Sequence, residues 1–379
     1  MPRYFFVLIS LLLFGCSSEN TQKAVEDNNT TPAVTVKLDY AQNFTVEKKG
    51  DLTILTIKSA WKNSKEEFQY LLYPKGQEVP TGYDNAIKVG IPLERVICTS
   101  TVDIAFLTSL GLSDRIVAIS NGQYVYDESI QAALKAEKMI EIGAGTTLDY
   151  ERALTTNADA AFVFSIGDQQ NYKKFKELGI PPILLSDFME NTPLGRAEWA
   201  LFVAYFFGKE EIAKNRFKAI ATAYESLKKR ARETQNKPTV FTGAVYKGTW
   251  YIAGGKSLMA TFIKDAGGQY LWEDNTELSG VPLDFEAVYV KGLNADYWIN
   301  TSHWQTKADL GASEAKYADF TAFQKNKVFN YYKRTTANGG SDVFESAIVQ
   351  PHLVLKDMMH IFHDEVVQEK DLYYYIQLK

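Results

Sequence analysis

The chain repeats itself once. Leu148-Asp149-Tyr150-Glu151 leads to Asn157-Ala158-Asp159-Ala160-Ala161-Phe162, and Leu283-Asp284-Phe285-Glu286 leads to Asn294-Ala295-Asp296-Tyr297-Trp298-Ile299. Each copy reads Leu-Asp-aromatic-Glu, a short amphipathic stretch, Asn-Ala-Asp, then a strand; the second copy is two residues longer. Between the copies, Lys209 to Thr234 holds no Gly or Pro. Within it Ala213, Phe217, Ile220, Tyr224, Leu227 and Ala231 recur every three or four residues. That spacing keeps one face apolar through roughly seven helical turns. Matched segments on either side of a long helix predict two lobes of similar build, with the helix as a strut ended by Pro238. Asp149 and Asp284 are also good N-caps, and Glu151 and Glu286 then sit in a first turn, where the helix dipole favours an anion. Capping alone can produce both copies, but it leaves unexplained why each ends at the same offset before a strand.

The rest of the chain fits an α/β class. Apolar runs at Val96-Ile97-Cys98, Ile116 to Ile119, Ala160 to Phe164 and Ile183 to Leu185 read as buried strands. They alternate with helices over Thr101 to Leu110, Asp149 to Thr155 and Tyr172 to Leu178, the first closed by Gly111 and the last by Gly179. Such alternation argues for a parallel sheet. Pro193 to Phe207 is a very apolar helix, broken by Gly208 ahead of the strut. Beyond the strut, Thr239 to Val245, Trp250 to Ile252, Tyr297 to Ile299 and Val328 to Asn330 read as strands. Ser257 to Ala266 reads as a helix, and Ser346 to Phe362 as a final one with Pro351 near its first turn. Ahead of all this, Thr35 to Leu72 alternates in the β manner around the turn signal Lys48-Lys49-Gly50-Asp51. About 350 residues exceed the size at which a single core usually divides. The expected division is a β appendage at 34–90, an α/β lobe at 91–192, linking helices at 193–236 and a second α/β lobe at 237–379.

The N-terminus sets the compartment. Arg3 precedes an apolar run from Tyr4 to Phe14, interrupted only by Ser10. That is the length of a secretory signal core and short of the roughly 20 residues a spanning helix needs. It ends in Leu13-Phe14-Gly15-Cys16, which resembles a bacterial lipobox, although Phe14 is larger than that pattern favours. The resemblance implies removal of residues 1–15 and lipid on Cys16. An ordinary signal peptide cut nearby is the alternative. Residues 16–33, rich in Ser, Glu, Asn and Thr, read as a flexible tether. The expected location is periplasmic, lipid-anchored to a bacterial membrane and touching it through the lipid only. A net charge of −5 argues against nucleic acid as a partner. With two cysteines, one of them Cys16, Cys98 has no intramolecular partner and a cysteine zinc site is excluded. His360 and His363 read as a surface pair near a helix C-terminus rather than a metal site.

Several of these segments together carry a family resemblance. They are Arg95-Val96-Ile97 with the helix to Leu112, Asp114 to Ser120, Leu148 to Phe164, Leu178-Gly179-Ile180-Pro181, the strut, Gly254 to Ser257, Ala266-Gly267-Gly268 and Val281 to Ile299. Over residues 90–365 the chain resembles the class III periplasmic substrate-binding proteins of ABC importers, which serve ferric siderophores, haem and cobalamin. The resemblance implies two Rossmann-like lobes joined by one long helix, a shallow cleft and little hinge motion. It also implies that one Glu on each lobe, here Glu151 and Glu286, docks against Arg residues of a permease dimer. It is specific as to family and weak as to ligand: an iron complex of siderophore or haem type ranks first, a corrinoid close behind. The expected protein is a monomeric binding component with no cofactor and no catalysis. Gly255-Lys256-Ser257 does not end a phosphate loop, because Trp250 stands where that motif needs Gly.

Candidate ligand contacts are aromatic and cationic groups in loops: Tyr124 and Tyr126 in the first lobe, and Trp250, His303, Trp304 and Arg334 in the second. Flat rings suit a corrin, porphyrin or catecholate face, and Arg334 or its neighbour Lys333 suits a ligand carboxylate. Each aromatic is equally readable as packing, Trp250 above all because it lies close to a strand. An envelope hydrolase is the competing class, but the sequence offers no nucleophile elbow, HExxH motif or Ser/His/Asp arrangement. A ligand sensor that has lost transport is a third, disfavoured by the acid retained on each lobe.

Overall fold

The computed structural model describes residues 1, 32–144, 147–167, 169–367 and 371–379. Cys16, nearly all of the expected tether, and Gly145-Thr146 of the first lobe lie outside the described residues.

Two five-stranded sheets centre the two lobes. The N-terminal lobe orders its strands Pro182–Leu184, Ala160–Val163, Val96–Cys98, Ile116–Ile119, Ile140–Glu141, all parallel. Val96–Cys98 and Ala160–Val163 are buried at every position, which is why they read as unbroken apolar runs. The C-terminal lobe orders Gln269–Tyr270, Thr239–Thr242, Tyr297–Ile299, Val328–Asn330, Ile376–Gln377, the last antiparallel. Taken in chain order, the first lobe runs fifth-fourth-first-second-third and the second runs second-first-third-fourth-fifth. Both are doubly wound orders with a point where the direction of winding reverses.

The repeat marks that point. In each lobe it delivers the strand that pairs with the lobe's first strand across the reversal. Asp159 accepts the backbone N–H of Glu94 at 2.8 Å and of Arg95 at 3.1 Å. Asp296 accepts the N–H of Thr239 at 2.9 Å and its hydroxyl at 2.8 Å. The Asn-Ala-Asp half of the repeat therefore has its own cause: the aspartate ties the incoming strand to the start of its neighbour. Partial burial works to raise the pKa of Asp159, but the two amide donors and Lys75 outweigh it and hold the carboxyl below its ordinary range. The other half is a capped helix in both lobes. Asp149 caps Tyr150–Thr155 by accepting from the Arg152 amide, and Asp284 caps Phe285–Gly292 by accepting from that of Ala287.

The lobes are joined by two helices, Pro193–Tyr205 and Glu210–Arg232. The longer one, roughly 34 Å at the usual rise, starts in the N-terminal core at Ala213 and runs into the C-terminal core with Phe217, Tyr224 and Ala231. The shorter one crosses in the opposite sense, from Leu194 and Ala197 in the C-terminal core to Trp199 and Phe202 in the N-terminal core. The connection is thus a packed pair over the expected linking segment, with the longer helix as its strut.

The β appendage is a five-stranded sheet, Val34–Thr35, Phe44–Lys49, Leu52–Ile57, Phe68–Pro74 and Ile87–Ile91, fused to the N-terminal core. Phe44 packs edge-on against Trp199 and Phe202, with centroids at 5.0 and 5.4 Å. The Tyr70 hydroxyl accepts the Leu184 N–H at 2.8 Å. The segment entering Phe44 is stapled by two buried carboxylates of the linker region: Glu198 accepts from the amides of Asp39, Tyr40 and Ala41, and Glu190 from those of Gln42 and Asn43.

Two local expectations are corrected. The final helix is a short turn, Ser346–Ile348, followed by a helix over Pro351–Phe362, because the ring of Pro351 disfavours helical backbone at the residue before it. His363 is not at the surface; it is buried against Gly267, and burial lowers its pKa. Among the described residues no helix is long and apolar enough to cross a membrane, and no group of three His, Cys, Asp or Glu is placed to hold a metal.

Candidate functional site

In a doubly wound sheet a ligand sits outside the carboxyl ends of the strands, at the reversal point. Here the loops at those ends meet across the two lobes. Glu345, only 3% exposed, accepts the N–H of Tyr126 at 2.7 Å and of Asp127 at 2.9 Å. The Thr336 hydroxyl donates to the Gln123 carbonyl and the Thr101 hydroxyl to the Phe344 carbonyl, both at 3.2 Å. Gly340 lies so close to Tyr124 that a Cβ would sit 2.2 Å from its carbonyl oxygen, so only glycine permits this approach. Burial pushes the Glu345 carboxyl up to about 7; its two amide donors pull the other way, and Asp342 and Asp127 add to the rise. On the appendage side, Lys62 and Glu277 form an exposed ion pair at 3.2 Å between the first half of the chain and the second.

A cavity of about 500 Å³ opens at the reversal point of the C-terminal lobe. Thr242 and Gly243 line it from the end of the lobe's first strand, and Asn300 from the end of the strand paired with it. The rings of Tyr251, Phe262, Tyr331 and Phe344, together with Met259, supply apolar wall, and Pro193 and Arg196 of the linker helix complete the rim. The volume is that of a small-molecule site. Arg196 is already paired: its Nε donates to Asp187 at 2.6 Å. Asn300 Nδ2 donates to the Met259 sulfur at 3.1 Å, and Tyr375 on the same wall is fully buried. Burial drives the Tyr375 pKa up, with Asp357 and Tyr331 adding to the rise and a hydrogen bond with the Asn300 side chain opposing it. Asn300 and Ser302 both hold left-handed backbone, φ 57° and 59°, so the loop at this wall is strained.

None of the ligand contacts expected from sequence lines this cavity. Trp250 is corrected to a core residue: it is fully buried, packs among Phe241, Trp298, Tyr317 and Phe320, and donates its Nε1–H to the Thr242 carbonyl. Arg334 takes part in a clasp and, with Tyr126, lines a second cavity of about 320 Å³. Its Nε donates to Asp342 at 2.6 Å, and its guanidinium lies over the rings of Tyr126 and Tyr373 at 4.7 and 4.4 Å. Tyr126 is thereby occupied as well. Its neighbour Lys333 is paired with Asp371. Tyr124 is exposed on the loop that meets Gly340. His303 is exposed and lies tilted against the half-buried Trp304, with centroids at 4.4 Å, just beyond Asn300. Glu151 and Glu286 are exposed in the first turns of their helices.

Tyr251 is the residue the sequence should have offered. Trp250 and Ile252 are buried at 0% and 1%, whereas Tyr251 is 48% exposed. Strict alternation along that strand places it opposite Trp250. Asn300 and Tyr375 leave no comparable signal, since only the fold brings them to one wall.

Residues 96–335 match the family model described as periplasmic binding protein. The chain belongs to this family. Two uncharacterised lipoproteins of Methanocaldococcus jannaschii are each 23% identical, one over 98% of this chain and 94% of its own length, the other over 95% and 92%. Among solved structures, a periplasmic haem-binding protein of Pseudomonas aeruginosa superimposes with a TM-score of 0.56 at 14% identity, covering 72% of this chain and 93% of its own. An ABC-type Fe3+-hydroxamate transport system of Saccharomonospora viridis gives 0.57 at 13%, covering 80% and 98%. A periplasmic vitamin B12 binding protein of Vibrio cholerae gives 0.51 at 14%, covering 73% and 99%. These likenesses confirm the two-lobed periplasmic binding protein fold.

Proposed function

We propose that this chain is the capture component of an ABC importer, taking an iron complex of siderophore or haem type in its cleft and handing it to a permease dimer. The observation that carries the reading is the pair Glu151 and Glu286, both exposed, each in the first turn of the capped helix that leads into the strand at its lobe's reversal point. A crossover helix runs against the parallel strands it joins, so both helix N-termini belong to the carboxyl edge, where the cleft loops lie. Two acids at a separation held by the packed linker helices suit a partner with arginines on both halves, where complementary charge sets register and speeds encounter. The haem-binding and Fe3+-hydroxamate transport likenesses favour an iron complex. The division at 34–90, 91–192, 193–236 and 237–379, a monomeric state and a lipid on Cys16 that holds the protein at the periplasmic face of a bacterial membrane belong to the same reading.

Cobalamin is the second reading, favoured by the likeness to the vitamin B12 binding protein. A corrinoid would lie across the open cleft, being too bulky for the cavity. Native mass spectrometry with absorbance on protein drawn from its own membranes separates the two. The iron reading expects an iron-chelate mass and its visible band. A corrinoid spectrum would move cobalamin to first place. Protein that carries neither, and whose melting temperature responds to neither ferric chelates, haemin nor cobalamin, would sink both.

A further inference from the structure

The positive charge at the carboxyl edges of the two sheets is already matched by carboxylates of the protein itself. We propose that the cleft selects by charge: the captured chelate bears no net negative charge, its metal being balanced within the chelate, and it presents an apolar surface. The inference rests on reading the protein as the capture component of an importer. It narrows the ligand class, favouring a chelate of hydroxamate type over a catecholate or a haem with its carboxylates.

In the N-terminal lobe the loops at that edge span 99–100, 120–127, 142–149, 164–169 and 185–192. They contain no Lys, Arg or His, but hold Asp127, Asp149, Asp168, Asp187 and Glu190. Phe164 and Ile166 stand exposed among them. Cations do occur on the facing side, and each is matched or lies elsewhere. Arg196 at the cavity rim donates to Asp187 at 2.6 Å, and Arg334 to Asp342 at 2.6 Å. Lys333 pairs with Asp371, and Lys62 of the appendage meets Glu277 at 3.2 Å. Lys247 sits in the hairpin turn beyond the Tyr246–Thr249 pair, at the opposite end of its strand from Ala253 in the cavity wall. Lys256 lines a separate cavity with Glu273, and His303 lies against Trp304 outside the cavity wall. In the second cavity Arg216 and Arg334 are outnumbered by Asp127, Glu128, Asp342 and Glu345. The Glu345 carboxyl feels the same field: burial pushes it up to about 7, and Asp342 and Asp127 add to the rise against the pull of two amides. An anionic ligand would lose its water among like charges and gain no counter-ion. A neutral one with an apolar face meets Tyr251, Phe262, Tyr331 and Phe344 instead.

The test is titration calorimetry on the detergent-solubilised full protein. The probes are ferrichrome, a neutral ferric hydroxamate; ferric enterobactin, an anionic catecholate; haemin; and cyanocobalamin, an uncharged corrinoid. Ferrichrome should bind, and ferric enterobactin and haemin should each bind about a hundredfold more weakly or not at all. Two variants separate charge from shape. Phe344→Lys places a cation at a wall residue that is 54% exposed, and Asp187→Asn releases Arg196. Each should narrow the gap between ferrichrome and ferric enterobactin about tenfold. Melting temperatures show which variant is folded, so either can report if the other is not. Ferric enterobactin or haemin binding as tightly as ferrichrome, or a gap that no folded variant narrows, would overturn the proposal and leave the iron reading intact. Cyanocobalamin binding alone would do the reverse, ending the iron reading and keeping an uncharged ligand. Binding of none of the four would end both.

Discussion

The two lobes carry the same repeat and finish their first strands differently. In the N-terminal lobe the strand leaves Cys98 into Thr99, whose hydroxyl accepts the Phe164 N–H at 2.9 Å and closes the reversal point with a local hydrogen bond. Phe164 and Ile166 then stand exposed, at 43% and 69%. In the C-terminal lobe the strand leaves Thr242 into Gly243, at φ 86°, where a Cβ would sit 1.9 Å from the Tyr251 carbonyl oxygen. The Gly243 N–H also bonds across the reversal point, to the Asn300 carbonyl at 3.1 Å, and the cavity lies beside that pair. What the lobes share, the strand-tying aspartate and the capped acidic helix, serves cohesion and the outward surface. What they do not share is the residue at the strand exit, threonine in one lobe and glycine in the other.

The largest expected effect tests which side of the Trp250 strand is core. Trp250→Ala should cost about 3–5 kcal/mol in denaturant melts. Tyr251→Ala, on the cavity side, should cost under about 1 kcal/mol and weaken ligand binding instead. A reversal of these two results would exchange core and cavity. Next comes the exit residue itself. Gly243→Ala should destabilise by about 2–3 kcal/mol through strain and the clash with Tyr251. If it is harmless, this exit does not depend on glycine.

A smaller effect compares the buried acids on the two sides. Asp103, which closes a capping box with Ser100, and Glu345, which binds the facing loop, are both pushed up to about 7, by burial first in each case. For both, the folded pKa exceeds the unfolded one, so the folded state binds more protons between the two values. Stability is therefore full below the unfolded pKa, near 4, and falls as pH rises through 7. Glu345→Gln should remove about 1–2 kcal/mol of that fall between pH 5 and 8 and leave the share due to Asp103. A melting profile unaltered by the substitution would remove Glu345 from the pH response. Smallest is Thr99→Ala, at about 1 kcal/mol for one hydrogen bond, measured by the same melts; a cost equal to that of Gly243→Ala would erase the contrast between the exits.

The fold could be read from the sequence wherever burial imposed a period. Val96–Cys98, Ile116–Ile119, Tyr297–Ile299 and the long linker helix lie where their apolar patterns put them. The short edge strands Ile140–Glu141 and Ile376–Gln377 give no pattern, because pairing with a neighbour alone creates them. The helix Glu128–Lys135 did leave a signal, a capping Asp127 ahead of an amphipathic stretch, that the pattern reading passed over. The site was harder. Arg334 looks like a free cation until the fold brings it against Asp342 and two tyrosine faces. Asn300 and Tyr375 reach the cavity wall only through the fold. Aromatic and charged residues in loops are therefore weak guides to a cleft, and alternation within one strand, which marks Tyr251, is the better guide that the sequence reading left unused.

The importer claim stands or falls on the shared half of the repeat. Reversing both charges, Glu151→Arg with Glu286→Arg, alters two exposed first-turn positions and should leave the melting temperature and ligand affinity nearly unchanged. In cells whose uptake of the ligand depends on this protein, the double variant should abolish that uptake, because like charges then face each other across the permease interface. Normal uptake by a folded, ligand-binding double variant would contradict the account.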